Sequence, residues 1–292
     1  MVSEVEFYLV STDHFEDRIW FKDDADFSTG MNYVALAANA TGVCVIAFVL
    51  MSNHVHFVLS GDIAVVDRFV NMFKKLYGMY VRVRFKIENF LRRNDADIKP
   101  VDVFDEGLKR AIAYVQMNPV AAKICLHPTQ YPWGSGNCFF QKFKPEGTKC
   151  SNMSFRTRRT LLRSRLAVKD DWLIGSGGYI LPSSYVAVKF VEDLFRTPTS
   201  MDYFLRNSSK ARAALEKSGS SAYFRDQTLI AAIPDYCAAV FQKESLKELN
   251  QNEKTRLVRE FKRRFNSDIY QLARVLGLTP EEIAHFLEDF SK

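Results

Sequence analysis

Two of the five histidines of this chain, His54 and His56, stand two residues apart in the run Met51-Ser52-Asn53-His54-Val55-His56-Phe57-Val58-Leu59. On a strand that spacing points both imidazoles to one side. Each ring carries polar nitrogens that need partners, so the pair is either a polar stripe on a solvated strand face or a place where a cation is held. Downstream, Tyr114 and Asn118 lie four apart in a segment, Glu106 to Met117, that reads as a helix ended by Pro119. Four residues is one helical turn, so a phenol and an amide project together from one rod. Taken singly, Tyr114 also fits an ordinary aromatic, and Asn118 a helix-ending residue before proline.

The surrounding elements must bring these groups together. Val5 to Val10 alternates as a strand, and Asp23 to Ala40 reads as a helix running into the turn Thr41-Gly42. Val43 to Met51 is a continuous apolar run, continued after Ser52-Asn53 by Val55 to Leu59 and closed by Gly61. This is one buried strand or two paired ones at the centre of a sheet. Ile63 to Lys86 has helical periodicity, with Lys74, Lys75, Arg82, Arg84 and Lys86 off the apolar stripe and Phe73, Tyr77, Tyr80 and Phe85 interleaved. That pattern fits a solvated helix face or a surface for phosphate and base stacking. A polar stretch, Arg92 to Lys99, leads to the tyrosine helix. The order suggests an α+β fold, an antiparallel sheet with helices packed on one face.

With the apolar run into Asn53-His54-Val55-His56, the segment Tyr114-Val115-Gln116-Met117-Asn118-Pro119-Val120, and Tyr131-Pro132-Trp133 followed by small residues, residues 5 to 140 resemble a known family. It is the single-tyrosine HUH transposases, and within them the REP-associated tyrosine transposases. The resemblance implies a ferredoxin-like, RRM-like HUH nuclease fold, with His54, His56 and Asn118 as ligands of a divalent metal and Tyr114 as nucleophile. It implies single-stranded DNA, a hairpin or palindromic repeat, as substrate and a 5′-phosphotyrosine as intermediate. The residue types suit that chemistry. A tyrosine ester keeps the phosphodiester energy available for rejoining. The phenol, with a reference pKa of about 10, needs a cation near the scissile phosphate to attack at neutral pH. Two imidazoles and an amide oxygen leave such an ion's charge largely uncompensated, and suit magnesium or manganese. No paired cysteines accompany the histidines, so a closed zinc site is not expected.

Composition bounds the rest. The 292 residues, 47% hydrophobic, suffice for one large or two medium domains, and a net charge of +6 modestly favours an acidic partner. Five cysteines at 44, 125, 138, 150 and 237 form no CxxC pair, the N-terminus lacks a signal-peptide pattern, and no apolar run is long enough for a membrane span. A cytoplasmic protein with no membrane partner, a monomer or homodimer, is expected.

After residue 140 the composition shifts. Residues 141 to 155 read as a connector, and 156 to 292 as a mainly helical region. Arg156 to Arg165 holds five arginines, of which Arg158, Arg159 and Arg163 are candidate phosphate contacts beside the plain reading of a solvated face. Ser245 to Phe265 reads as a basic amphipathic helix offering Lys254, Arg259, Lys262 and Arg263 to DNA. Beyond it, Gly277 as C-cap and Thr279-Pro280 with Glu282 as a capping box delimit two short helices around a tight turn. This resembles a helix-turn-helix or, alternatively, a plain helical hairpin, since Glu281 and Glu282 would repel phosphate. The first 140 residues are thus expected to be the catalytic domain and about 245–292 a DNA-binding segment. A catalytically silent DNA-binding regulator is the chief alternative. A relaxase is disfavoured by the absence of a third histidine in the motif.

Overall fold

A computed structural model describes residues 6–12, 18–91, 96–143, 145–216, 226–265, 267 and 269–288. The protein is an α+β structure built on a four-stranded antiparallel sheet. Strand β1 (Phe7–Ser11) is followed by helix α1 (Asp24–Thr41), the paired strands β2 (Cys44–Met51) and β3 (His54–Ser60), helix α2 (Ile63–Phe85) and strand β4 (Asp97–Pro100). The strand order across the sheet is β2-β3-β1-β4.

Local chemistry explains the boundaries. Asp23 caps α1 by accepting the Asp26 amide at 3.0 Å, and Gly42, at φ 76°, closes it in the left-handed conformation. Asp62 caps α2 in the same way. The apolar run containing the histidines resolves into two strands joined by Ser52-Asn53, with Met51 opposite His54. The turn is pinned because the Ser52 carbonyl accepts the amides of both Trp20 (2.7 Å) and Phe21 (3.0 Å). At the start of β3, the Thr12 hydroxyl donates to the Val55 carbonyl and accepts the Val55 amide, extending the β1 pairing by a side chain. The stretch read as polar connection holds β4, which pairs with β1 at the sheet edge, Leu9 opposite Lys99 and Ser11 opposite Asp97.

Alternation then sorts the side chains. Phe57 points to α2, its ring centroid 5.1 Å from Phe69 and 5.8 Å from Phe73. His54 and His56 point to the other face, where helix α3 (Gly107–Ala121) lies. Helices therefore cover both faces, not one as the element order suggested. A sheet that is apolar on both sides needs cover on both.

Helix α3 also differs from expectation at its end, because it continues through Pro119 to Ala121. Proline has no N–H to give the Val115 carbonyl, which would leave that acceptor without its helical donor. The Asn118 side-chain amide supplies it, donating to the carbonyls of Val115 (3.2 Å) and Tyr114 (3.0 Å). At the other end, a Cβ on Gly107 would lie 2.0 Å from the Asp102 carbonyl oxygen, so only glycine fits that first residue.

The edge of β2 is covered by the Tyr131-Pro132-Trp133 segment. The Tyr131 hydroxyl donates to the Leu50 carbonyl at 2.7 Å, the Leu50 amide to the Trp133 carbonyl at 2.8 Å, and the Ser135 amide to the Phe48 carbonyl at 3.0 Å. A Cβ on Gly134 would meet the Phe48 oxygen at 2.8 Å, which explains the small residue after the tryptophan.

Packing continues across the expected connector. Strands β5 (Thr148–Lys149) and β6 (Leu173–Ile174) pair, and helices α4 (Phe155–Leu162), α5 (Val188–Phe195) and α6 (Pro198–Glu216) follow. Buried Cys150, Leu162, Trp172, Val191, Phe195, Phe204 and Leu205 belong to the same apolar cluster as the sheet, with α6 packed along α3. A second cluster joins Ile19 to α7 (Asp226–Tyr236), α8 (Gln251–Phe265), α9 (Ile269–Leu276) and α10 (Pro280–Glu288). The caps read from the sequence are present there. Gly277 has φ 65°, the Thr279 amide donates to Glu282 at 2.7 Å, and the Glu282 amide donates to the Thr279 hydroxyl at 3.2 Å.

Arg84, expected to face phosphate, is turned inward. Its guanidinium grips Asp23 at 2.5 and 2.9 Å and forms an ion pair with buried Asp26 and a hydrogen bond to the Tyr80 hydroxyl. Burial, with the charge of Asp23 adding, pushes the Asp26 carboxyl up to about 6 against the opposing pull of Arg84. Two carboxylates and a hydroxyl engage both terminal nitrogens of the guanidinium, so its charge is already met within the fold. Replacing Arg84 by Met should therefore cost about 3–5 kcal/mol in urea unfolding by stranding buried charge, whereas Arg82→Met on the exposed side should be close to neutral. The folded Asp26 carboxyl holds its proton to higher pH than the unfolded one, so the native state takes up a proton as pH falls from 7 to 4. Acidification over that range should stabilise wild type relative to Asp26→Asn, by the same unfolding measurement.

Candidate active site

The candidate site lies where β3 meets α3. The His54 and His56 rings stand 4.9 Å apart between centroids, nearly perpendicular, and the Tyr114 ring is 5.5 Å from His56. His56 is 1% exposed, whereas His54 and Tyr114 are half-buried. Asn118 sits one turn beyond Tyr114 on the same helix, buried. His54, His56 and Tyr114 thus converge from two elements with their three rings in a continuous edge-to-face row, and Asn118 lies one turn further along α3.

The donors fit a shared cation. Nδ1 of His54 is 2.7 Å from the Asn53 side-chain oxygen, so with the proton on Nδ1 its Nε2 would be the nitrogen open to a ligand. An ion bound at about 2.1 Å lies roughly 3 Å from a ligand ring's centre, so rings 4.9 Å apart can share one. With its amide nitrogen committed to the helix, Asn118 could ligate only through Oδ1. No group of three or more His, Cys, Asp or Glu suited to a metal occurs among the described residues. A third and further ligands at the histidines would have to be an amide oxygen, water or the phosphate itself. That is an oxygen-rich donor set rather than the nitrogen and sulfur set of a closed structural site.

The residues expected at phosphate fall elsewhere. Lys74, Lys75 and Arg82 line a shallow pocket with Met79 and Phe90 on the outer side of α2, across the sheet from Tyr114. Arg163 lies over the Tyr80 ring at 5.5 Å, also on the α2 side, and Arg158 is 3.7 Å from Asp170, while Arg159 is exposed. In the second cluster the Arg259 Nε donates to the Phe286 carbonyl at 2.9 Å, an α10-anchoring role rather than a phosphate-facing one. Lys262 is exposed and Lys254 half-buried. The side chain of Arg263 lies outside the described residues.

Two cations near Tyr114 went unnoticed in the sequence. Lys99 on β4 shares a sheet face with His56. Arg110 lies one turn before Tyr114 on α3 and is exposed. Arg110 could have been read from its spacing. Lys99 could not, because its segment carried no strand signal.

Asn118 has a purely structural job in the helix besides any role as ligand. Asn118→Leu removes the donor that stands in for the missing proline N–H and should cost about 1–3 kcal/mol in urea unfolding. An Asn118→Gln variant that keeps stability but binds manganese more weakly would separate the two roles. Compared with models of known protein families, with curated proteins and with solved structures, the chain matches none.

Proposed function

We propose that the protein is a metal-dependent DNA strand-transfer enzyme that nicks a structured single strand and rejoins it through Tyr114. The observation that carries this reading is the convergence of Tyr114 with His54 and His56 across the β3–α3 contact, with Asn118 one turn on. The β-α-β-β-α-β element order with strand order β2-β3-β1-β4 supports a ferredoxin-like, HUH-type scaffold for it. The divalent ion, magnesium or manganese, would be held by the two imidazoles and the Asn118 oxygen, and would supply charge withdrawal at the scissile phosphate.

In the reaction, the Tyr114 phenol gives up its proton and its oxygen attacks phosphorus. The bond from phosphorus to the 3′ oxygen breaks, and that oxygen takes a proton to leave as a 3′-hydroxyl. The product is a 5′-phosphotyrosine, which a 3′-hydroxyl attacks in the reverse sense to rejoin a strand. His56 is packed against the Tyr114 ring and so fixes where the phenol can point. The Asn118 amide holds the tyrosine turn of α3 in helical form. Both α9–α10 and the basic α8 are proposed to contribute duplex or hairpin contacts.

The second reading, a DNA-binding regulator without chemistry, is favoured by one observation: His56 is 1% exposed and both its ring nitrogens are shut away from solvent. A labelled single-stranded hairpin from the flanks of the gene, incubated with wild type or Tyr114→Phe in manganese, magnesium or EDTA, separates the two on a denaturing gel. A metal-dependent covalent adduct in wild type, absent from Tyr114→Phe, is expected. Binding of that DNA without adduct in any metal would favour the regulator. Manganese binding measured calorimetrically should be lost in His54→Ala and His56→Ala and kept in Tyr114→Phe.

A further inference from the structure

We infer that Lys99 and Arg110 form a two-point clamp for the DNA backbone on either side of Tyr114, an inference that rests on the strand-transfer reading above and deepens it. The placement follows from register. Ser11 is opposite both His56 on β3 and Asp97 on β4, and Leu9 is opposite both Val58 and Lys99. Cross-strand partners share a face, so Asp97, Lys99 and His56 all point to the side occupied by α3. Lys99 interacts electrostatically with Tyr114 and its side chain is 68% exposed, so its ammonium stands at the open flank of the tyrosine rather than in the core.

Arg110 stands on the helix that carries the tyrosine. It precedes Tyr114 by one turn, on the stripe that continues to Asn118, and is exposed. Its neighbour Lys109 is directed elsewhere, 3.4 Å from Glu106 and with its ammonium 5.2 Å from the Phe204 ring centre of α6. One cation on the sheet edge and one on the helix thus flank Tyr114, each exposed to a strand passing it. Lys99 is held 2.5 Å from Asp97, whose carboxylate both aims the ammonium and opposes an incoming phosphate. The clamp therefore carries a built-in counterweight, and removing either member of the Lys99–Asp97 pair has opposite effects on DNA.

The test is fluorescence anisotropy of a fluorescein-labelled oligothymidylate with the full chain in EDTA, titrated over salt, alongside the adduct assay in manganese. Lys99→Ala and Arg110→Ala should each weaken binding about five-fold at low salt and lower the slope of log affinity against log salt by roughly 0.7. Lys99→Arg should restore affinity, and Asp97→Asn should tighten it. In the adduct assay the loss in Lys99→Ala should fall on KM rather than kcat. Wild-type affinity and slope in both alanine variants, with adduct still formed by wild type, would overturn the clamp and leave strand transfer standing. Weaker binding in Asp97→Asn would also overturn it, by making the pair structural. Failure of wild type to form adduct with the flanking hairpin would overturn strand transfer itself.

Discussion

Everything at the candidate site depends on the register of β3. Side chains alternate along a strand, so a slip of one residue would send both imidazoles into the Phe69–Phe73 layer beneath and put Phe57 in their place. Three independent restraints hold that register: the two-residue turn, the double hydrogen bond from Trp20 and Phe21 to the Ser52 carbonyl, and the Thr12 hydroxyl at Val55. The aromatic layer on one face and the histidine pair on the other are two consequences of one pairing. Repacking the first would disturb the second.

Helix α3 is the counterpart of that restraint. It starts at a glycine that nothing larger can replace and ends past a proline that a side-chain amide makes tolerable. It is pressed onto the sheet from outside by α6, through buried Met201, Phe204 and Leu205. The helix that carries the phenol is thus fixed at both ends and along its outer side. That favours a site organised before any ligand arrives, since preorganised groups need not be ordered during the reaction.

Much of this was legible in the chain itself. The face shared by His54 and His56, the helix carrying Tyr114, the extent of α2 and the Gly277–Thr279 caps follow from periodicity and local chemistry that act over a few residues. What was not legible depends on distant partners. Arg84 has helical spacing like its exposed neighbours, but its carboxylates lie 58 and 61 residues away. Strand β4 is four residues, two of them charged and one proline, a composition that reads as loop and is what an edge strand tolerates. The second face of helices was hidden because element order alone does not say on which side of a sheet a terminal helix lands.

The packing of α6 on α3 also sets an order of events during synthesis. The outer side of helix α3 stays uncovered until residues 201–205 have been made and have left the ribosome, well after the sheet's own strands are complete. Chains fold as they emerge. The nascent protein would therefore pass through a stage with the histidine strand already paired and the outer side of the tyrosine helix still uncovered.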